Sequence, residues 1–220
     1  MRLVVGTFVT LDGVMQAPGG PEEDRSGGFE HGGWVVPFFD EVGGEVMEKW
    51  IARADGLLLG RRTYEIFAAH WPYVGDENAI AAKFNRVRKH VASRTLDRAD
   101  WKNTTLISGN VADAVRNLKQ EPGDELQVHG SGNLIQTLLA HDLIDEFRLW
   151  TFPVVLGGGK RLFAGGTVPA RLELVETVTS STGAVLHVYR AAGRPETGSF
   201  ALEQPTEAEL ERRRKIEAGR

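Results

Sequence analysis

Apolar positions follow two alternating rhythms along most of the chain. Leu3 to Val9 is apolar or β-branched on both alternations, the pattern of a strand buried on both faces. Phe39, Val42, Val46, Trp50 and Ile51 then fall near helical spacing and predict a helix over Phe38 to Ala54, weakened by Gly43-Gly44. Gly56 to Gly60 reads as a second buried strand. A helix opens directly after it at Arg61 and stops before Pro72. The alternation continues with a helix from Asp76 to Arg86 and strands at Lys89–Ala92 and Thr104–Ile107. A helix from Val111 to Leu118 ends at the Pro122-Gly123 turn. Leu126 and Val128 mark another strand, and Leu134, Ile135, Leu138 and Leu139 carry a helix up to His141.

From Asp145 the period shortens. Glu146 to Thr151 alternates polar and apolar, and Phe152 to Leu156 continues that pattern. Arg171 to Val178 and Ala184 to Tyr189 alternate around Ser180-Ser181-Thr182-Gly183, which predicts an antiparallel hairpin. The fold class expected is therefore α/β, with a mixed, mostly parallel sheet flanked by helices and an antiparallel hairpin at its C-terminal end. One domain is expected over 1–190. Residues 191–220 read as a polar charged tail, with Glu207 to Arg220 a short charged helix.

Composition narrows the classes. The length of 220 residues suits one sizeable domain. A net charge of -4, with no basic block outside the tail, argues against nucleic acid as a partner. The chain has no cysteine, so disulfide and thiolate chemistry are excluded. No run approaches the roughly 18 apolar residues of a membrane span, and the first apolar run is too short for a signal peptide. A soluble cytoplasmic protein is expected. The histidines form neither HxH nor HExxH spacing, so no metal is expected.

Three turns carry anion-binding chemistry. Gly130-Ser131-Gly132-Asn133-Leu134 joins a strand to a helix, where free N–H groups and the helix dipole favour negative charge. It reads either as a phosphate cradle or as an ordinary turn capped by Ser131 or Asn133. Gly60-Arg61-Arg62-Thr63 is a second such turn, with two guanidinium forks matched to phosphate oxygens. Ser93-Arg94-Thr95 is the third. Turns of this kind meet at one edge of an open α/β sheet. Three phosphate-type sites point to a dinucleotide with an additional phosphate, NADPH rather than NADH. Two look-alikes fail: the Gly130 turn lacks the third glycine of the Rossmann fingerprint, and Gly159-Lys160-Arg161 lacks the P-loop's first glycine and its Ser or Thr.

The glycine-rich segment Val14 to Gly33 leaves the end of the first strand and is read as a lid over a substrate cleft. Asp12 serves either as a proton donor or as a turn-forming residue. Trp34, Phe38 and Trp71 either stack on a flat substrate or belong to the core.

With these residues in view, the chain resembles the dihydrofolate reductase superfold, and within it the reductase domain of bacterial riboflavin biosynthesis in a stand-alone form. The likeness rests on Thr10-Leu11-Asp12-Gly13, on Leu59 to Glu65, on Gly130 to Leu134, and on Pro153 to Phe163. The resemblance implies NADPH as hydride donor and a small-molecule substrate. It puts Gly60, Arg61, Arg62 and Thr63 at the phosphates, Ser93 and Arg94 near the adenosine end, and Gly130 to Leu134 along the pyrophosphate. It puts Thr10 and Asp12 where nicotinamide and substrate meet, and it implies a homodimer through the β-rich end, using the apolar run Leu149 to Leu156. Folate reductases carry an acid on the first helix, for which Asp40 and Glu41 are the nearest residues here. No deaminase domain with zinc ligands is present in this sequence.

Overall fold

The structure is a computed structural model that describes every residue except 164 and 220. Its centre is strand β1 (Arg2–Thr10), parallel to β5 (Glu125–His129) on one side and to β6 (Glu146–Phe152) on the other. Beyond β5 lie β2 (Ala54–Gly60), β3 (Arg88–Ala92) and β4 (Thr104–Ile107), all parallel. Beyond β6, strands β8 (Val185–Ala191) and β7 (Leu172–Thr179) run antiparallel. The eight strands form one sheet in the order β4-β3-β2-β5-β1-β6-β8-β7.

Helices follow the strands as the apolar rhythm requires: α1 (Glu41–Ala52), α2 (Arg61–Ala68), α3 (Ala79–Arg86), α4 (Val111–Gln120) and α5 (Gly132–Ala140). Alternation along β2 divides the core. Leu58 packs with Leu3, Leu126 and Val128 against Val115 of α4 and Ile135 of α5. Leu57 and Leu59 point the other way and pack with Ile51 of α1 and Phe84 of α3. This two-sided burial explains why the parallel strands lack a polar alternation.

Several boundaries differ from the sequence expectation. Helix α1 starts at Glu41, not Phe38, because the Asp40 carboxylate accepts the Gly43 N–H at 3.0 Å and caps it there. The other Asp40 oxygen accepts both the Ser181 N–H and hydroxyl, so Asp40 ties α1 to the β7–β8 turn. Strand β6 ends at Phe152, since Pro153 has no N–H to continue a ladder. The run Leu149 to Leu156 is not a free face: Leu149, Trp150 and Phe152 are buried in the core. The edge strand at this end of the sheet is β7 instead, where Leu174 and Val175 are 54% and 43% exposed.

The segment 14–33 is a packed wall rather than a free flap. Val14 bridges to Arg161, and Ala17, Phe29 and Trp34 are buried with Trp150 and Phe152. After β8 the chain buries little, and α6 (Glu207–Glu217) has no buried residue. Residue 220, the end of the helix expected there, lies outside the described residues. Among the described residues, no helix is long and apolar enough to cross a membrane.

Candidate active site

The parallel register puts the C-terminal ends of β2, β3 and β5 along one edge of the sheet. Gly60 pairs with Ala92, and His129 closes β5 beside Gly6. The chain leaves these ends through the turns at Gly60–Thr63, Ser93–Thr95 and Gly130–Asn133. All three line one cleft of about 1700 Å³. Helices α2 and α5 therefore begin side by side, with their orphan N–H groups and positive dipole ends facing the same space.

One side chain joins the two helix starts. Ser131 lies in the left-handed region at φ 68°, directly after Gly130 at φ 63°. It does not cap its own helix. Its hydroxyl accepts the Gly60 N–H at 2.9 Å and donates to Thr63 Oγ1 at 2.7 Å. A Cβ on residue 60 would sit 3.1 Å from that hydroxyl oxygen, so glycine at this position keeps the joint closed. At the third turn, Ser93 Oγ accepts the N–H groups of Thr95 and Leu96 at 3.2 and 3.0 Å.

The guanidinium groups are not equivalent. Arg61 faces Glu65 at 3.6 Å and donates to the Thr95 hydroxyl at 3.2 Å. Among the described residues, Arg62 donates only to the Ser26 hydroxyl, at 3.1 Å. Arg62 and Arg94 are exposed on the cleft wall, and among the described residues neither faces a carboxylate. Two uncompensated cations beside paired helix N-termini make this end of the cleft an anion site.

The segment from Met15 to Gly20 lines the same cleft, with Met15 packed against the Gly130–Gly132 turn. Gln16 pins it: Nε2 donates to the carbonyls of Asp24 and Ser26 at 2.9 Å each, and Oε1 accepts the Lys160 N–H at 3.0 Å. The Lys160 ammonium in turn holds the Asp24 carboxylate and the Ser26 hydroxyl. Glu23 also lines the cleft, and burial pushes its carboxyl pKa up. Glu23 therefore keeps its proton to a higher pH than an ordinary glutamate does.

The floor is polar under an aromatic rim. Arg148 is 3% exposed, with Nη1 and Nη2 on Glu125 at 2.9 and 2.6 Å and Nε on Glu146 at 2.8 Å. Its guanidinium lies 5.1 Å from the centre of the Trp50 ring. Arg2 adds bonds of 2.9 Å to both carboxylates. Next to Arg148 on this floor are Gln127 and His129.

A family model described as the RibD C-terminal domain matches residues 2–186. The chain belongs to the RibD C-terminal domain family. Two uncharacterized Bacillus subtilis proteins are similar along most of their length. YyaP is 30% identical over 195 residues, covering 87% of this chain and 96% of its own. YwjB is 27% identical over 193 residues, covering 86% and 98%. Among solved structures, a Shewanella sp. PV-4 protein provisionally assigned to riboflavin biosynthesis superposes with a TM-score of 0.66 at 24% identity. That match covers 87% of this chain and 99% of the other. A Thermotoga maritima diaminohydroxyphosphoribosylaminopyrimidine deaminase/5-amino-6-(5-phosphoribosylamino)uracil reductase gives 0.57 at 14% identity, over 87% of this chain and 56% of the other. At these identities the structural matches speak to the fold, which is that of the dihydrofolate reductase-like reductases.

Within this RibD C-terminal domain, some residues expected at the site lie elsewhere. Asp12 and Thr10 do not line the cleft. The Asp12 carboxylate accepts the Thr10 hydroxyl at 2.6 Å and the N–H groups of Leu156 and Gly157 at 3.2 and 2.9 Å. Those bonds, the Thr10 hydroxyl first, hold its carboxyl well below the usual range. Asp12 is thus a fixed anion knotting two loops together and holds no proton to donate. Trp34 and Phe38 pack on Phe152, and Trp34 Nε1 donates to the Gln16 carbonyl at 2.8 Å. Both face the core rather than the cleft, because the buried loop needs an apolar anchor. Trp71 does line the cleft, with Phe67 and Phe84. Asp40 and Glu41 do not.

Sequence reasoning missed Gln127, His129, Arg148 and Glu23. A run of polar residues at every second position, Glu125, Gln127 and His129, inside a buried strand was the available signal. Burial, with the Arg148 cation nearby, pushes the His129 pKa from its ordinary 6.5 down to about 4. The unfolded chain then binds a proton between pH 6.5 and 4 that the fold refuses. Stability from this group is complete above pH 6.5 and is lost as pH falls toward 4, by about 3 kcal/mol. Urea unfolding at pH 7 and pH 4.5 should show this loss, reduced in His129→Phe. An equal loss in that variant would assign the acid sensitivity to other groups.

Proposed function

We propose that this protein is an NADPH-dependent reductase acting in the cytoplasm on a small heterocyclic or sugar-derived molecule, pterin-like or ribosylaminopyrimidine-like. One observation carries the reading: three anion-binding turns and two unneutralised guanidinium groups, Arg62 and Arg94, share one cleft large enough for a dinucleotide. The donor set fits the cofactor, with Gly130 allowing close backbone approach, Gly60, Ser131 and Thr63 joining the helix starts, and Gly132, Asn133 and Leu134 opening α5. When bound, NADPH supplies the hydride. The chain's own residues hold its phosphates, and the Met15 to Gly20 segment beside the Gly130 turn shields them from water. Trp71 belongs to the aromatic rim that a flat substrate meets.

A titration that follows the quenching of tryptophan fluorescence by NADPH and by NADH tests the reading. Much tighter NADPH binding is expected; binding of neither nucleotide removes the proposal. NADPH binding without oxidation by any pterin, pyrimidine or aldose would point instead to a non-catalytic nucleotide-binding protein. A narrower reading, 5-amino-6-(5-phosphoribosylamino)uracil reductase, is favoured by the name of the Thermotoga maritima protein that shares the fold. Rescue of a strain lacking that step decides it.

The same reading includes a homodimer. The exposed apolar residues of β7, an edge strand with free ladder groups, are the surface for it. Light scattering should give twice the chain mass, and a monomer at micromolar concentration would remove this part.

A further inference from the structure

The floor of the cleft fixes one histidine in a single chemical form. Gln127 Nε2 lies 2.7 Å from the Trp50 carbonyl and 2.7 Å from a Glu125 carboxylate oxygen. Both of those groups are acceptors, the Glu125 carboxylate being already held by the guanidinium groups of Arg148, Arg2 and Arg53. The amide nitrogen of Gln127 must therefore face them, which turns Oε1 toward His129 Nε2 at 3.1 Å. Oε1 can only accept. His129 Nε2 must carry the hydrogen, and Nδ1 is left as a bare lone pair.

Nδ1 has no protein partner among the described residues. The side-chain nitrogens sealed from solvent without a partner are His90 Nε2, Trp150 Nε1 and His187 Nδ1. His129 Nδ1 is not one of them, so it opens to the cleft that His129 lines. Gly6, on the neighbouring strand, keeps the space beside it clear: a Cβ there would lie 3.8 Å from Nδ1.

We infer that His129 Nδ1 is a fixed hydrogen-bond acceptor that selects an uncharged, planar heterocycle presenting an N–H at the floor of the cleft. Planarity follows from the half-buried rings on the cleft lining, Phe67 at 6.2 Å from the imidazole with Trp50 and Trp71, while Phe84, 5.3 Å from the imidazole, backs it from the core. Neutrality follows from charge. A cation would meet Arg148, and an anion would find Arg148 already committed to Glu125 and Glu146. Burial lowers the His129 pKa to about 4, so the acceptor is free of a proton at neutral pH. His129 is thus a specificity-determining residue. This inference rests on the cleft being the substrate site of the proposed reductase.

The test uses ¹⁵N-detected imidazole NMR on the full chain, with the His129 signals assigned by their loss in His129→Phe. The expected tautomer is Nε2–H at neutral pH. 6-Aminouracil should move the Nδ1 resonance, whereas 1,3-dimethyluracil, which has a similar ring and no N–H, should leave it in place. His129→Phe and Gly6→Ala should each weaken 6-aminouracil about tenfold, the scale of one neutral hydrogen bond. Gly6→Ala makes only an ordinary contact, so it stays informative if His129→Phe folds poorly. An Nδ1–H tautomer, an unmoved Nδ1 signal with 6-aminouracil, or equal shifts with both probes each overturns the inference. NADPH titrated into the same sample separates the two failures. Bound NADPH with Nδ1 unmoved sinks this inference alone. A moved Nδ1 without NADPH binding sinks the reductase reading and leaves the acceptor site standing.

Discussion

Arg148→Met should lower folding stability by about 3–5 kcal/mol, read as a shift of the urea midpoint at pH 7 with little change in slope. The magnitude comes from what is left behind. Glu125 is 0% exposed and Glu146 4%, and Arg148 supplies three of the six side-chain hydrogen bonds to the two carboxylates, more than any other residue described. A single truncation strands buried charge, which costs far more than the intact cluster contributes over an apolar replacement. Arg2→Met is the control. Its side chain is 37% exposed, and Arg148 continues to hold both acids without it, so its cost should be well under half as large. A cost below about 1 kcal/mol for Arg148→Met would mean that Arg2, Arg53 and Gln127 suffice to hold the two acids. The same substitution bears on the site, because Glu125 fixes Gln127 and, through it, His129.

Arg62→Ala and Arg94→Ala should each weaken NADPH about 10- to 100-fold in the tryptophan titration, the range for losing a charge-assisted hydrogen bond to phosphate. Arg61→Ala should cost less. Glu65 already offsets part of the Arg61 charge, and the Thr95 hydroxyl occupies one of its donors. NADH separates the two larger effects: the arginine whose loss erases the preference for NADPH is the one that meets the additional phosphate. Added salt should narrow the difference between wild type and variants, since both groups are exposed. Unchanged NADPH affinity in both variants would leave the three turns as structural features only. Arg62 carries a further consequence, because its present partner is Ser26, which Lys160 and Gln16 tie to the Met15 to Gly20 segment. A phosphate that takes over Arg62 removes one of the bonds holding the Ser26 loop, so binding and loop position are coupled.

The parts of the fold that could be read from the residues are those governed by local rules. The two-sided apolar pattern of Leu3 to Val9 marks β1 as central, since neither face can meet water. The hairpin of β7 and β8 follows from period-two alternation around a Ser-Ser-Thr-Gly turn. Misplaced boundaries trace to single groups. Asp40 starts α1 late because its carboxylate finds the Gly43 N–H, a choice that Phe38 and Phe39 conceal by continuing the apolar spacing.

Side chains whose partners lie far away in the chain were not legible. Asp12 sits in a turn that suits a proton donor or a loop anchor equally well. Its bonds to the Leu156 and Gly157 N–H groups make it the anchor. Trp34 and Phe38 look the same as Trp71 in a sequence. Only the packing on Phe152 sends the first two into the core and leaves the third on the cleft. The sequence by itself determined the α/β order, the central strand, the terminal hairpin and the three glycine- or hydroxyl-bearing turns, because periodicity and turn chemistry act between near neighbours. The tertiary structure alone decided that those turns share one cleft, that Glu125, Arg148 and Gln127 hold His129 in one tautomer, and which aromatic rings face a ligand. Those outcomes depend on the strand order of the sheet, which brings residues more than a hundred positions apart within hydrogen-bond reach.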